Sequence, residues 1–119
     1  MPTAQTIDAE TLQEAADDGV IALVRATKAE ISNPGTRSES VRVEAEIVSS
    51  LRGPTPRPLV LRRYTSGGDT VLTPGRHYIV AAITDARFAP AMQVTGLVPV
   101  AEGQQDPAVA AHRAILERK

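Results

Sequence analysis

Residues 73–83 read TPGRHYIVAAI. Pro74 presets φ at the second position of a turn, and Gly75 supplies the positive φ that the third position of a type II turn requires. A strand follows at once, from Arg76 to Ile83, and it is apolar on both faces. A strand without a polar face is covered on two sides, which places this one at the centre of a sheet. The aromatic residues of the chain are two tyrosines and one phenylalanine, and one of the tyrosines, Tyr78, lies here. Its ring suits a core, and its hydroxyl then needs one hydrogen-bond partner.

Working outward from this stretch, four more strands are legible. VIALVRATKAEI, residues 20–31, is a buried strand pattern that turns into alternation. NPG at 33–35 marks a turn. In SVRVEAEIVSSL, residues 40–51, Val41, Val43, Ala45 and Ile47 face one way and Arg42, Glu44 and Glu46 the other, the mark of a half-exposed strand. The alternation breaks at Val48, which predicts a bulge or bend before Leu51. RGPTPRP cannot join a ladder, LVLRRY at 59–64 is a third strand, and TSGGD turns the chain. After the loop TDARFAPA comes MQVTGLVPV at 92–100. It is interrupted by Gly96, a residue that marks a bulge or a close approach.

Helices are expected at both ends. From Asp8 to Asp18, Asp8 is placed to cap the first free N–H groups, and Ile7 and Leu12 have the spacing of a hydrophobic staple. Gly19 offers a left-handed stop. The apolar face (Leu12, Ala15, Ala16) is thin, so this helix must lean on something else. The second helix spans 106–118, with Asp106 as cap, Pro107 in the first turn, and Arg113, Arg118 and Lys119 suiting the negative end of its dipole. The expected fold is mostly β: a five-stranded barrel over residues 20–100, flanked by helices at 8–18 and 106–118, in a single domain spanning 1–119.

The bulk numbers exclude several function classes. A chain of 119 residues can bury a core without metal or disulfide support. Its net charge of −1 creates no global field for nucleic acid or anionic membranes. With no cysteine there are no disulfides, thiolate metal sites or cysteine nucleophiles. No apolar run approaches the ~20 residues of a membrane span. MPTAQTIDAETLQE lacks the basic start and apolar core of a signal peptide. Localisation stays open: periplasmic or extracellular if an export signal has been trimmed, cytoplasmic otherwise. Eleven arginines against two lysines suggest a GC-rich bacterial genome.

Three stretches together carry a family resemblance: AADDGVIALVRATKAE, VRVEAEIVSSLRG and LVLRRYTSGGDTVLTPGRHYIVAAI. Their order and spacing resemble bacterial netrin-module and tissue-inhibitor-of-metalloproteinases-like (TIMP-like) domains. The matching features are the apolar strand from Val20 to Ala26, the step Leu51–Arg52–Gly53, and the strand start Pro74–Gly75–Arg76–His77–Tyr78, and the likeness covers roughly residues 15 to 100. It implies an OB-type five-stranded barrel with flanking helices, and an exported location. Animal inhibitors of that family block a protease zinc with an N-terminal cysteine. This chain has none, so that activity does not carry over.

Constellations for catalysis are nearly absent. His77 and His112 are the only histidines and lack metal-ligand spacing, so no metal or other cofactor is expected. TSGGD contains Ser66 but is not a nucleophile elbow, and nothing orients a triad of Ser66, His77 and Asp69. No phosphate-cradling loop is present. Charge is unevenly spread: the first helix carries Asp8, Glu10, Glu14, Asp17 and Asp18 and no base. The candidate binding residues are Arg52, Arg57, Arg62, Arg63, Tyr64 and Arg76, in a segment whose one acid is Asp69. Either they form a patch for an anionic partner, or the helix acids neutralise them, and the second is the expectation. Arg62 and Arg63, being consecutive on a strand, point to opposite faces. The expected function is a non-enzymatic binding or protein-interaction module with an unidentified protein partner. An OB-type oligonucleotide binder is the alternative, which would need stacking platforms from Tyr64, Tyr78 or Phe88. An unrecognised enzyme comes third.

Overall fold

The computed structural model describes residues 6–32, 35, 40–53, 59–64, 73–84, 86 and 91–117. In chain order the elements are α1 (Ala9–Asp18), β1 (Gly19–Ser32), β2 (Ser40–Arg52), β3 (Leu59–Tyr64), β4 (His77–Thr84), β5 (Met92–Val100) and α2 (Gln105–Glu117). The strands close into a barrel in the order β1-β2-β3-β5-β4. Four of the pairings are antiparallel. The fifth, β3 with β5, is parallel and short, matching Leu61 to Met92 and Arg62 to Gln93.

The Pro-Gly turn does what its sequence demands. Gly75 has φ 89°, and the Arg76 N–H donates to the Thr73 carbonyl at 3.1 Å, as in a type II turn. The turn is pinned to β1 by Gly75 N–H to Ala26 O (2.7 Å) and Ala26 N–H to Arg76 O (3.0 Å). Tyr78 is 3% exposed, and its hydroxyl oxygen accepts from the Thr73 N–H at 2.7 Å. The turn that launches the strand thus supplies the hydrogen-bond partner its tyrosine requires.

Apolar side chains form two cores separated by the sheet. Inside the barrel are Val20, Ala22, Val24, Ala26, Val41, Val43, Ala45, Leu59, Leu61, Tyr78, Val80, Ala82, Met92 and Val94. Outside it, beneath the helices, are Ile7, Leu12, Ala15, Ile21, Leu23, Ile79, Ala81, Val98, Val100 and Ala108. From Val20 to Ala26 on β1 and from Tyr78 to Ala82 on β4, even-numbered residues therefore face inward, while Ile21, Leu23, Ile79 and Ala81 meet the helices, which is why VIALV and YIVAA show no polar face. Past Val24, β1 leaves the cover of the helices and its outer positions become Arg25, Thr27, Lys28 and Glu30, all exposed.

The break at Val48 is a bulge. Val24 pairs with Ile47 and Leu23 with Ser49, so Val48 has no opposite residue; Leu51 is skipped in the same way between Ser50 and Arg52. On β1 the extra residue is Thr27, whose hydroxyl donates to the Glu44 carbonyl at 3.0 Å. The interruption at Gly96 coincides with a register shift between Ala81 and Ala82 on β4, and a Cβ there would meet Ile7 Cγ2 at 2.8 Å.

The helix ends depart from expectation in three places. Asp8 does cap α1, accepting from the Thr11 N–H at 3.1 Å and its hydroxyl at 2.8 Å, and Ile7 and Leu12 are buried in one cluster as a staple. Gly19, however, is extended (φ −166°) rather than left-handed. It is required because a Cβ would strike the Ala82 carbonyl oxygen of β4, where the chain enters the sheet without a loop. Asp106 lies inside the first turn of α2 instead of capping it, since the helix begins at Gln105 and the Ala108 N–H already reaches the Gln104 carbonyl at 3.1 Å. Arg113 sits a turn before the end of α2, and Arg118 and Lys119 lie outside the described residues.

Candidate functional site

The predicted arginine patch is not assembled in one place among the described residues. Arg52 ends β2 and pairs with Ile21. Arg76 is joined through its carbonyl to Ala26. Arg62 pairs with Arg42, which in turn pairs with Glu30. These three levels on β1 are separated by about 13 to 17 Å of strand at ~3.3 Å per residue. Arg63 and Tyr64 belong to β3, in register with Val41 and Ser40; their side chains, and the whole of Arg57, lie outside the described residues, as do Ser66, Asp69 and Phe88.

The acids of α1 do not neutralise the described arginines. All five are exposed, and α1 packs over β1, β4 and β5 rather than β3. Thr11, through its hydroxyl first and its N–H second, engages the Asp8 carboxyl and holds it below its usual range. Asp17 accepts from Gln13 Nε2 at 2.8 Å, and Asp18 Oδ1 accepts from the Thr84 hydroxyl at 3.3 Å. Arg62 donates to the Ser40 hydroxyl at 3.2 Å. The charges on the bare outer face of β1 and β2 balance across the strands instead. Arg25 is opposite Glu46, Lys28 opposite Glu44, and Glu30 opposite Arg42. Lys28 and Glu30 form the one ion pair among the described residues, at 3.1 Å. The hydrogen bond to Glu30, with its charge and that of Glu44, raises the Lys28 ammonium above its ordinary value.

The candidate site that the structure does form lies where the bulged end of β2 passes α2. It is a groove of about 430 Å³, lined by Leu23, Val48, Ser49, Gln105, Asp106, Val109, Ala110 and Arg113. The bulge re-aims Val48, which is 51% exposed, one of two large apolar side chains so placed among the described residues. Leu23 and Val109 continue the apolar surface. Arg113 also lines it, its Nη2 donating to the Ser50 carbonyl at 3.5 Å, and Arg52 is exposed two residues further along β2. Asp106 lies seven residues before Arg113 on α2, on the same helix side and about 10 Å along the axis. A second groove of about 500 Å³ lies between the start of α1 and Ile115, and its polar lining is Thr6, Glu10, Gln13 and the capping Asp8.

Of the groove residues, sequence reasoning found only the break at Val48; the arginine at 52 is exposed on the same strand but does not line the groove. Arg113 reads as a helix-dipole residue until the 63-residue separation from Ser50 is closed by folding. Among the described residues there is no group of three or more His, Asp or Glu able to hold a metal ion, and no helix is long and apolar enough to cross a membrane. His77 is half-buried at the start of β4, and His112 is fully buried. No protein-family model matches the chain, and no curated protein matches it.

Proposed function

We propose that this protein is a non-enzymatic interaction module of the OB type, related in architecture to netrin-module and TIMP-like domains. The strand order β1-β2-β3-β5-β4 with its parallel β3–β5 closure, and the helices before β1 and after β5, support the OB reading. The observation that carries the binding role is the groove between β2 and α2, which pairs the outward-bulged Val48 with the guanidinium of Arg113. An apolar side chain beside an exposed cation suits an extended peptide segment with an apolar side chain next to a carboxylate. Selection of a displayed random peptide library on the full chain tests this. Enrichment of such peptides, with binding lost in Val48→Asp and Arg113→Glu, supports the reading; enriched peptides that bind both variants as well as the native chain sink it.

Arg42 and Arg62, adjacent across β2 and β3, favour a second reading as an oligonucleotide binder. Tyr78, a candidate stacking platform, is committed to the barrel interior. Fluorescence anisotropy of labelled single-stranded DNA at low salt distinguishes the two: tight binding that fades as salt rises supports the second reading, and no binding removes it.

A further inference from the structure

We infer that His112 is an acid-releasable latch joining the segment before α1 to α2. Its ring is fully buried, and both nitrogens are engaged. Nε2 accepts from the Ile7 backbone N–H at 3.1 Å, across 105 residues of sequence. Nδ1 lies 2.8 Å from the Ala108 carbonyl, an oxygen that can only accept. The two partners together fix the neutral ring with its proton on Nδ1, because Nε2 must offer a lone pair to Ile7. Protonation places a second N–H on Nε2, pointing at the Ile7 N–H. Two donors then face each other in a site without water access, and the Ile7 N–H loses its acceptor. No rotation of the ring cures this, since a flipped imidazolium still offers a donor to each side.

Among the described residues, the cluster that packs α2 against the barrel offers the charged ring no carboxylate. On α2, the residues three and four positions away (Ala108, Val109, Ile115, Leu116) belong to the outer core. The faces of β1, β4 and β5 in that cluster contribute Ile21, Leu23, Ile79, Ala81, Val98 and Val100, and α1 contributes Leu12 and Ala15; none is titratable. The charged groups on the neighbouring elements include Asp8, Glu10 and Glu14 from the α1 side, Arg52 from β2, and Asp106, Arg113 and Glu117 on α2 itself, and all of these are exposed. The Asp8 carboxylate is already taken by Thr11. Ile7 is also the staple residue of α1, so losing its hold loosens the junction at which α1 and α2 meet over the barrel wall.

The test is amide hydrogen exchange on the full ¹⁵N-labelled chain between about pH 8 and about pH 5, a range that brackets the charge change of a free imidazole in water. Protection factors, which divide out the intrinsic pH dependence of exchange, are compared for Ile7 and for Val24 in the barrel. Ile7 protection is expected to fall about tenfold or more toward the acid end, the scale of one lost hydrogen bond, while Val24 protection holds. In His112→Gln, where an amide oxygen can accept from Ile7 without titrating, the acid-dependent loss is expected to vanish. Ile7 protection that is constant with pH in the native chain overturns the latch, and so does an equal acid-dependent loss in His112→Gln.

Discussion

The two sides of β1 and its neighbours make the barrel a molecule of unlike walls. Along the first half of β1, β4 and the second half of β5, both faces are apolar, and the outer one lies under α1 and α2. Along the second half of β1 and the first half of β2, only the inner face is apolar, and the outer face is a row of opposed charges. One strand, β1, belongs to both walls, and its sequence changes character at Arg25, where cover ends. The lesson is that helices which are poor on their own account are held by a strand pattern that leaves them apolar surface to occupy. Helix α1 buries only Leu12 and Ala15 fully, and its stability comes from the wall more than from itself.

Consecutive residues of β4 separate the two cores. Tyr78 faces the barrel interior and Ile79 faces the helices. Tyr78→Ala is expected to cost ~3–5 kcal/mol, since it deletes a large buried ring and the acceptor for Thr73. Ile79→Ala is expected to cost ~2–5 kcal/mol. Urea unfolding of both variants checks this. A negligible cost at Ile79 beside a large one at Tyr78 breaks the comparison, because the helix-covered face would then contribute nothing.

At the turn that opens β4, Gly75→Val is expected to cost ~1–3 kcal/mol. The cause is backbone strain alone, since no atom lies within 4 Å of an added Cβ. An unchanged melting temperature would contradict the type II assignment. On the bare wall the effects shrink. Glu46→Gln is expected to stay within ~0.5 kcal/mol of the native chain by the same urea assay.

The Lys28–Glu30 pair sharpens the point with pH. Because the folded state raises the lysine above its ordinary value of 10.5, the pair stabilises the fold below that value, and its contribution is lost as pH rises through the raised one. Both side chains are more than half exposed, so the effect is small. The melting temperature of Glu30→Gln should lie slightly below that of the native chain at neutral pH and converge with it in strong alkali. A gap that widens with pH would reverse the sign.

Most of the fold was legible because period and punctuation are local properties. The break in alternation at Val48 located a bulge, and the doubled apolar faces of residues 20–24 and 78–82 marked the strands covered on both sides. What failed depended on partners remote in sequence. Gly19 looks like a left-handed stop until β4 brings the Ala82 carbonyl against it. The acids of α1 look like partners for the arginines until packing sends the helix to β1, β4 and β5. Asp106 satisfies a local capping rule, but α2 starts one residue before it. The candidate site was the least legible part, since Val48 and Arg113 line one groove only because β2 and α2 pass each other. No periodicity in either segment encodes that crossing, and none encodes the contact of His112 with Ile7.

The claim that one wall is covered and the other bare is open to direct measurement, because the native chain has no cysteine. Single cysteines at Ala81, on the outer face of β4 beneath the helices, and at Glu46, on the bare face of β2, can be reacted with a thiol reagent under native conditions. Glu46→Cys should label at the rate of a free thiol, and Ala81→Cys only as fast as the helices or the whole fold open. Equal, rapid labelling at both positions would contradict the account.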